Sequence, residues 1–356
     1  MVKHKHGGNI FDAARVLGVD SNQIIDFSSN INPLGLSQKV KNALTRALDS
    51  VTLYPEPKYV ELKIALSGYY SCKENRIFCG NGATEIIHIF PEAFNIEKAL
   101  VFAPAFSEYA AALAKRGAAI EYALFDTKTF NFDFKDAAVK IERADAVFLC
   151  NPNNPSSTLM DNAKLKALVK IAKGSDTLFI IDESFMDFTE DPETHSFVSK
   201  INDFENLVVL KSHTKFFALP GLRIGSAVAN EGIIRRLEDY IWPWNINNLA
   251  AAACAAAVKD TDFIIETRKR IKEWRMQLTK GLSALGISFI KPQANFILFE
   301  VPPKLRLDHI LMSDGLLIRD CSNIYGLRQG YYRVAVKTEE QNRRLLNTLR
   351  EAMRHV

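Results

Sequence analysis

The sequence predicts an α/β fold, and three observations carry that expectation. Between about residues 76 and 230, short apolar runs alternate with stretches of helical periodicity, the pattern of βαβ units around a mainly parallel sheet. Several of these runs are apolar without interruption, as strands covered on both faces are. Beyond them come a long amphipathic helix, strand-like alternation and a closing helix, which together describe a smaller α+β unit.

The candidate strands of the larger unit are 99–102, 120–124, 146–150, 178–182, 207–210 and 224–228. Ahead of them, a short helix at Ile10–Leu17 with Gly18 as its left-handed cap, followed by the loop 30–35, is expected to return to the smaller unit. An alanine-rich segment, 249–258, leads into a helix with Phe263, Ile264, Ile271, Trp274, Leu278 and Leu282 at helical spacing. Residues 289–301 alternate as a strand does, 333–336 reads as another strand, and Glu339–Met353 as the last helix. The organisation expected is an N-terminal arm with part of a small domain at 1–50, a large domain at 51–258 and the C-terminal small domain at 259–356.

With 47% hydrophobic and 24% charged residues, the composition is that of an ordinary globular chain, which excludes a disordered or fibrous class. A net charge of +4 offers no electrostatic footprint for nucleic acid or an anionic membrane, and leaves room for a basic site that takes a small phosphorylated ligand. The five cysteines are odd in number and lack zinc-site spacing, so no metal is expected and a reducing, cytoplasmic setting is. The longest apolar run, 249–258, is about half of the roughly 20 residues a spanning helix needs, and no apolar core follows the basic first residues.

The motif that carries most chemistry is Leu210-Lys211-Ser212-His213-Thr214-Lys215, with Arg223 eight residues past Lys215. A lysine just beyond a strand end can hold an aldehyde cofactor as an imine, while the hydroxyls of Ser212 and Thr214 and the Arg223 guanidinium bind its phosphate. Gly80-Asn81-Gly82-Ala83-Thr84-Glu85 precedes an apolar helix, so backbone N–H groups around Ala83 and the Thr84 hydroxyl are available to the same phosphate. Asp182 ends a strand, a position that suits a functional carboxylate and equally a helix cap. Asn151-Pro152-Asn153-Asn154-Pro155 follows another strand as a turn.

With these residues the chain resembles the fold type I pyridoxal phosphate enzymes, the aminotransferase class I/II superfamily, over nearly its whole length. The resemblance implies a mainly parallel seven-stranded sheet between helices, a smaller α+β domain, and pyridoxal 5'-phosphate bound to Lys215. It implies that Asp182 pairs with the pyridine nitrogen and keeps the ring cationic, that Asn154 donates to the phenolic oxygen, and that Phe106 stacks on the ring, with Tyr109 as the alternative. It also implies a homodimer with a shared active site, in which Tyr54 reaches the phosphate of the partner subunit. Arg333 and Arg319 match the family's anchors for a substrate carboxylate and a distal phosphate.

Within the superfamily the chain is most similar to the threonine-phosphate decarboxylases and next to the histidinol-phosphate aminotransferases. The opening His6-Gly7-Gly8-Asn9-Ile10, the segment Asp26–Gly35 containing Asn32, and Phe185 in place of a tyrosine carry that similarity. It implies that His6 and Asn32 join the substrate site and that a small phosphorylated amino acid, L-threonine O-3-phosphate, is decarboxylated for cobalamin biosynthesis. A transaminase is the alternative. If Arg319, Arg333 and His6 all hold phosphate, the carboxylate stands perpendicular to the ring and leaves; if Arg333 clamps it in the ring plane, transamination follows.

Overall fold

The computed structural model describes residues 6–354; the ends of the two expected terminal segments, 1–5 and 355–356, lie outside the described residues. Helix Ile10–Leu17 is capped by the Asn9 side chain, which accepts from the Asp12 N–H, and ends at Gly18 with φ +67°. Strand β1 (Ile25–Asp26) follows, and two helices, Gln38–Ala47 and Val60–Tyr70, lead into the main sheet.

That sheet has seven strands, β2 (Ile77–Gly80), β3 (Lys98–Ala103), β4 (Ala119–Leu124), β5 (Ala146–Cys150), β6 (Leu178–Asp182), β7 (Leu207–Ser212) and β8 (Gly225–Ala229). Their spatial order is β2-β8-β7-β6-β5-β3-β4, and all neighbours pair in parallel except β8, which runs antiparallel to both β7 and β2. Each of the six strands expected from the sequence is present within two residues of its expected ends. Strand β2 is the one without a sequence signal, because four residues ending in glycine are too few to show a period.

The uninterrupted apolar runs have the cause expected of them. In β5, Phe148 enters one core with Phe90 and Tyr109, while Val147 and Leu149 enter the other with Leu165 and Leu168. In β6, Ile180 and Phe179 divide in the same way, so both faces of the sheet are covered by helices and alternation disappears.

Helix Thr261–Ala284 leads to a second, antiparallel sheet. Its strands are β9 (Ser288–Phe289), β10 (Phe296–Glu300), β12 (Arg319–Asp320) and β13 (Tyr331–Ala335), in the order β12-β13-β10-β9, with β11 (Leu316–Leu317) pairing separately, in parallel, with β1. The single strand read across 289–301 is corrected to two. Phe289 pairs with Phe299 in a hairpin, because the intervening segment contains Pro292, which has no N–H for a ladder. No helix among the described residues is long and apolar enough to cross a membrane.

Beneath the ends of β6 and β7 lies a buried ion pair, Lys211 Nζ to Glu183 at 2.9 Å, with Asp187 at 3.9 Å. Glu183 also accepts from the Ser196 hydroxyl and the Phe197 N–H, both at 2.6 Å. Burial would lower the Lys211 pKa, but Asp187 and Glu183 outweigh it and hold the ammonium above its ordinary range. Lys211→Met therefore strands the fully buried Glu183 charge and should cost about 3–5 kcal/mol in urea unfolding of the cofactor-free protein. Adding Glu183→Gln should recover most of it; a single-variant loss below about 1 kcal/mol would contradict this.

Candidate active site

Strands β5, β6 and β7 end side by side, Cys150 in register with Asp182 and Asp182 with Leu210. Ligands of parallel α/β sheets bind at such carboxyl ends. A cavity of about 420 Å³ opens over them, with Cys150, Asp182 and Ser212 in its lining.

One end of the cavity is built for an anion. Helix Ala83–Ala93 begins there, and its first-turn N–H groups have no intrahelical acceptor. Two glycines permit the approach: a Cβ on Gly225 would lie 2.4 Å from the Ala83 nitrogen, and one on Gly82, at φ +83°, would lie 2.6 Å from Arg223 Nη2. Arg223 itself is left-handed at φ +59°, a conformation costing roughly 1–3 kcal/mol in a non-glycine residue, and its Nη1 donates to the Pro220 carbonyl. The Ser212 and Thr214 hydroxyls lie 2.8 Å apart in the same lining, with Thr84 beside them.

Lys215 stands on the short helix His213–Phe216 that follows β7, half-buried in the cavity wall. Burial above all, then the charges of Arg223 and Arg333, push its pKa down to about 8, against weaker support from Asp182 and Asp26. At neutral pH this leaves roughly 300 times more free amine than a solvated lysine has. Asn32 lies behind it and outside the cavity lining. Its N–H donates to the Lys215 carbonyl, and its amide donates to the Phe216 carbonyl and the Thr267 hydroxyl.

Asp182 is buried, with Oδ1 accepting from the Ser184 N–H at 2.9 Å and Oδ2 from the Tyr109 hydroxyl at 2.5 Å. Of the two aromatics offered for stacking, Phe106 lines the cavity and Tyr109 is fully buried beneath it, their rings 5.8 Å apart edge to face. Asn154 accepts from Arg333 through Oδ1, so its amide has N–H donors to offer an oxygen ligand. Phe185 lines the cavity close by, its ring 4.8 Å from that of Phe296.

The opposite wall comes from the small sheet and the N-terminal arm. Arg333 on β13 is buried, donates from Nη2 to the Ser28 carbonyl at 2.7 Å, and has its pKa pushed down to about 10, chiefly by that burial. Arg319 on β12 lies directly across from it and bonds the Asp320 carbonyl and the Asn323 side chain. The arm packs on Ser28: Gly8 N–H donates to its hydroxyl, and a Cβ on Gly7 would lie 2.3 Å from its carbonyl oxygen. His6 thereby reaches the cavity, with Nε2 2.8 Å from Glu108 Oε1 and its ring 5.6 Å from that of Phe106.

Two features lack a motif signal. Glu108 bridges His6 and His88; burial raises its pKa, but the two imidazoles outweigh that and hold it low. The Tyr109 bond to Asp182 is the other. Tyr54, by contrast, is 79% exposed and leans on Trp244, away from the cavity of its own chain.

Pyridoxal 5'-phosphate fits this set. The glycine-lined helix start with Arg223, Ser212 and Thr214 would take its phosphate, Lys215 its aldehyde carbon, Asp182 the pyridine nitrogen, Asn154 the phenolic oxygen and Phe106 the ring face. Fold and site together define a fold type I pyridoxal phosphate enzyme. The chain belongs to the aminotransferase class I and II family, which matches residues 22–349. It is 35% identical to threonine-phosphate decarboxylase of Salmonella typhimurium, over 98% of this chain and 96% of that one. Histidinol-phosphate aminotransferase from Clostridium acetobutylicum superposes with a TM-score of 0.87 at 32% identity, covering 93% of this chain and 99% of the other. The fold is shared by histidinol-phosphate aminotransferase from Sinorhizobium meliloti in complex with pyridoxal 5'-phosphate, with a TM-score of 0.88 and 19% identity over 100% and 98% of the two chains.

Because the neutral amine is the reactive form, the rate of cofactor capture by cofactor-free protein should rise with pH and level off above a midpoint near 8. Stopped-flow absorbance measures it. A rate still climbing at pH 10 would contradict the lowered pKa.

Proposed function

We propose that the enzyme decarboxylates L-threonine O-3-phosphate to 1-amino-2-propanol O-2-phosphate and CO2, a reaction of cobalamin biosynthesis in the cytoplasm. The observation that carries this is the register of β12 and β13, which sets Arg319 and Arg333 directly opposite one another on the cavity wall. Like charges facing each other across a ladder destabilise it, and Arg319 adds to the burial that depresses Arg333. A phosphate dianion relieves both, and its oxygens suit forked guanidinium donors. Arg333 Nε is buried with no partner among the described residues, and His6 adds a third group at this wall.

When bound, the cofactor supplies a cationic ring that takes up the electron pair released at the substrate's Cα. The chain's part is to choose the bond. With both arginines and His6 on the substrate's phosphate, neither guanidinium of this wall would hold the substrate's carboxylate, which would leave that group free to depart as CO2. Phe185 removes a donor from the phenolic end, leaving the Asn154 amide there. The 35% identity to a threonine-phosphate decarboxylase supports the same choice.

A second copy completes the site in this proposal. Leu53, Tyr54, Trp242 and Trp244 are exposed large apolar side chains, Trp242 being 82% exposed and Tyr54 packing on Trp244, and a partner surface would cover them. Tyr54 from one subunit then meets the phosphate of the other.

Purified enzyme given threonine phosphate without any keto acid should release CO2. Glutamate formed from histidinol phosphate and 2-oxoglutarate, with no CO2 from threonine phosphate, would overturn the proposal. Arg319→Ala should raise KM for threonine phosphate by about 10–100-fold, the worth of a hydrogen bond to a charged group, and affect unphosphorylated L-threonine far less.

A further inference from the structure

We infer that Tyr109 is a positioning residue for Asp182: its phenol fixes the plane of the carboxylate and donates to it, so that the proton shared with the cofactor's pyridine nitrogen stays on the nitrogen. The inference depends on the cofactor of this family and is independent of which substrate is decarboxylated or transaminated.

The geometry begins with the acceptor count. An ionised carboxylate has about four acceptor positions on its two oxygens. In Asp182 the Ser184 N–H occupies one on Oδ1 at 2.9 Å, and the Tyr109 hydroxyl occupies one on Oδ2 at 2.5 Å. The remainder face a cavity whose lining includes Asp182. A contact of 2.5 Å is in the range of O–H···O⁻ bonds, which are roughly twice as strong as neutral ones.

The donor is fixed in place. Tyr109 has no exposed surface, its ring lies face to face with Phe148 at 5.5 Å, and Phe106 closes over it edge to face. Burial first, and then the Asp182 charge, push the Tyr109 pKa well above its ordinary value, so the phenol keeps its proton. Cys150 beside it remains a neutral thiol for the same two reasons. Asp182 is therefore the anion this hydroxyl serves.

The consequence concerns where one proton resides. A buried carboxylate facing a pyridine nitrogen can form either a carboxylate with pyridinium or a carboxylic acid with neutral pyridine, and burial favours the neutral pair. The Tyr109 hydrogen bond stabilises only the charged carboxylate. It tips the balance to the pyridinium, the form that accepts electrons from Cα.

The test uses holoenzyme reconstituted with pyridoxal 5'-phosphate labelled with ¹⁵N in the ring. Asp182→Asn provides the neutral-ring reference resonance. Tyr109→Phe, which deletes one oxygen and keeps the ring packing, should move the ¹⁵N resonance from the pyridinium position toward that reference. It should also lower turnover by about 10–100-fold. A merely structural tyrosine would lower the unfolding midpoint and cofactor retention while leaving the resonance where it is in the parent enzyme, and that result would overturn the inference. Should Tyr109→Phe fail to fold, 4-aminophenylalanine at position 109 keeps the shape with a weaker donor. An intermediate resonance then supports the inference, and an unshifted one overturns it.

Discussion

Lys211 and Lys215 lie four residues apart at the end of one strand and experience opposite fields. Lys211 points to Glu183 and Asp187 and is held as a cation despite complete burial. Lys215 is half-buried in the cavity wall, and desolvation together with the charges of Arg223 and Arg333 outweighs the weaker support of Asp182 and Asp26 and lowers its pKa. The segment between them separates a lysine held in a buried ion pair from one that lines the cavity. The ion pair ties the end of β6 to β7, while Asp182 and Ser212, at the ends of those strands, line the cavity.

Two sheets divide the work. The large one carries the groups suited to a cofactor: an anion cradle, an amine, a carboxylate and an aromatic face. The small one carries Arg319 and Arg333, the pair proposed to meet a substrate. Their separation is set by buried polar ties, since Arg333 bonds Asn154, Asn295 donates to the Asn30 carbonyl, and Asn32 joins the lysine turn to Thr267 of the long helix.

Much of this was legible in the sequence because the signals were local. Strand ends followed by Asn154, Asp182 and Lys215 could be read from unbroken apolar runs, and the glycine pair at Gly80 and Gly82 from its place before a helix. The cavity gathers Asn154, Asp182 and Lys215 with Ala83, Thr84, Phe106, Ser212, Thr214, Arg223, His6, Arg319 and Arg333. What escaped depended on non-local packing. The family resemblance places Asn32 with the substrate residues, yet its amide donates to the Phe216 carbonyl and to Thr267, a contact 235 residues away that no spacing rule anticipates. Tyr109 was weighed for stacking, but helix Glu108–Arg116 turns its hydroxyl to Asp182, 73 residues on. The hairpin of β9 and β10 was hidden because alternation continued through the turn.

The most direct measurement asks which nitrogen carries the cofactor. Holoenzyme reduced with borohydride and digested should yield a pyridoxyl group on Lys215, with Lys211 unmodified. A label on Lys211, or on neither lysine, would contradict the opposed electrostatic settings from which the account is built.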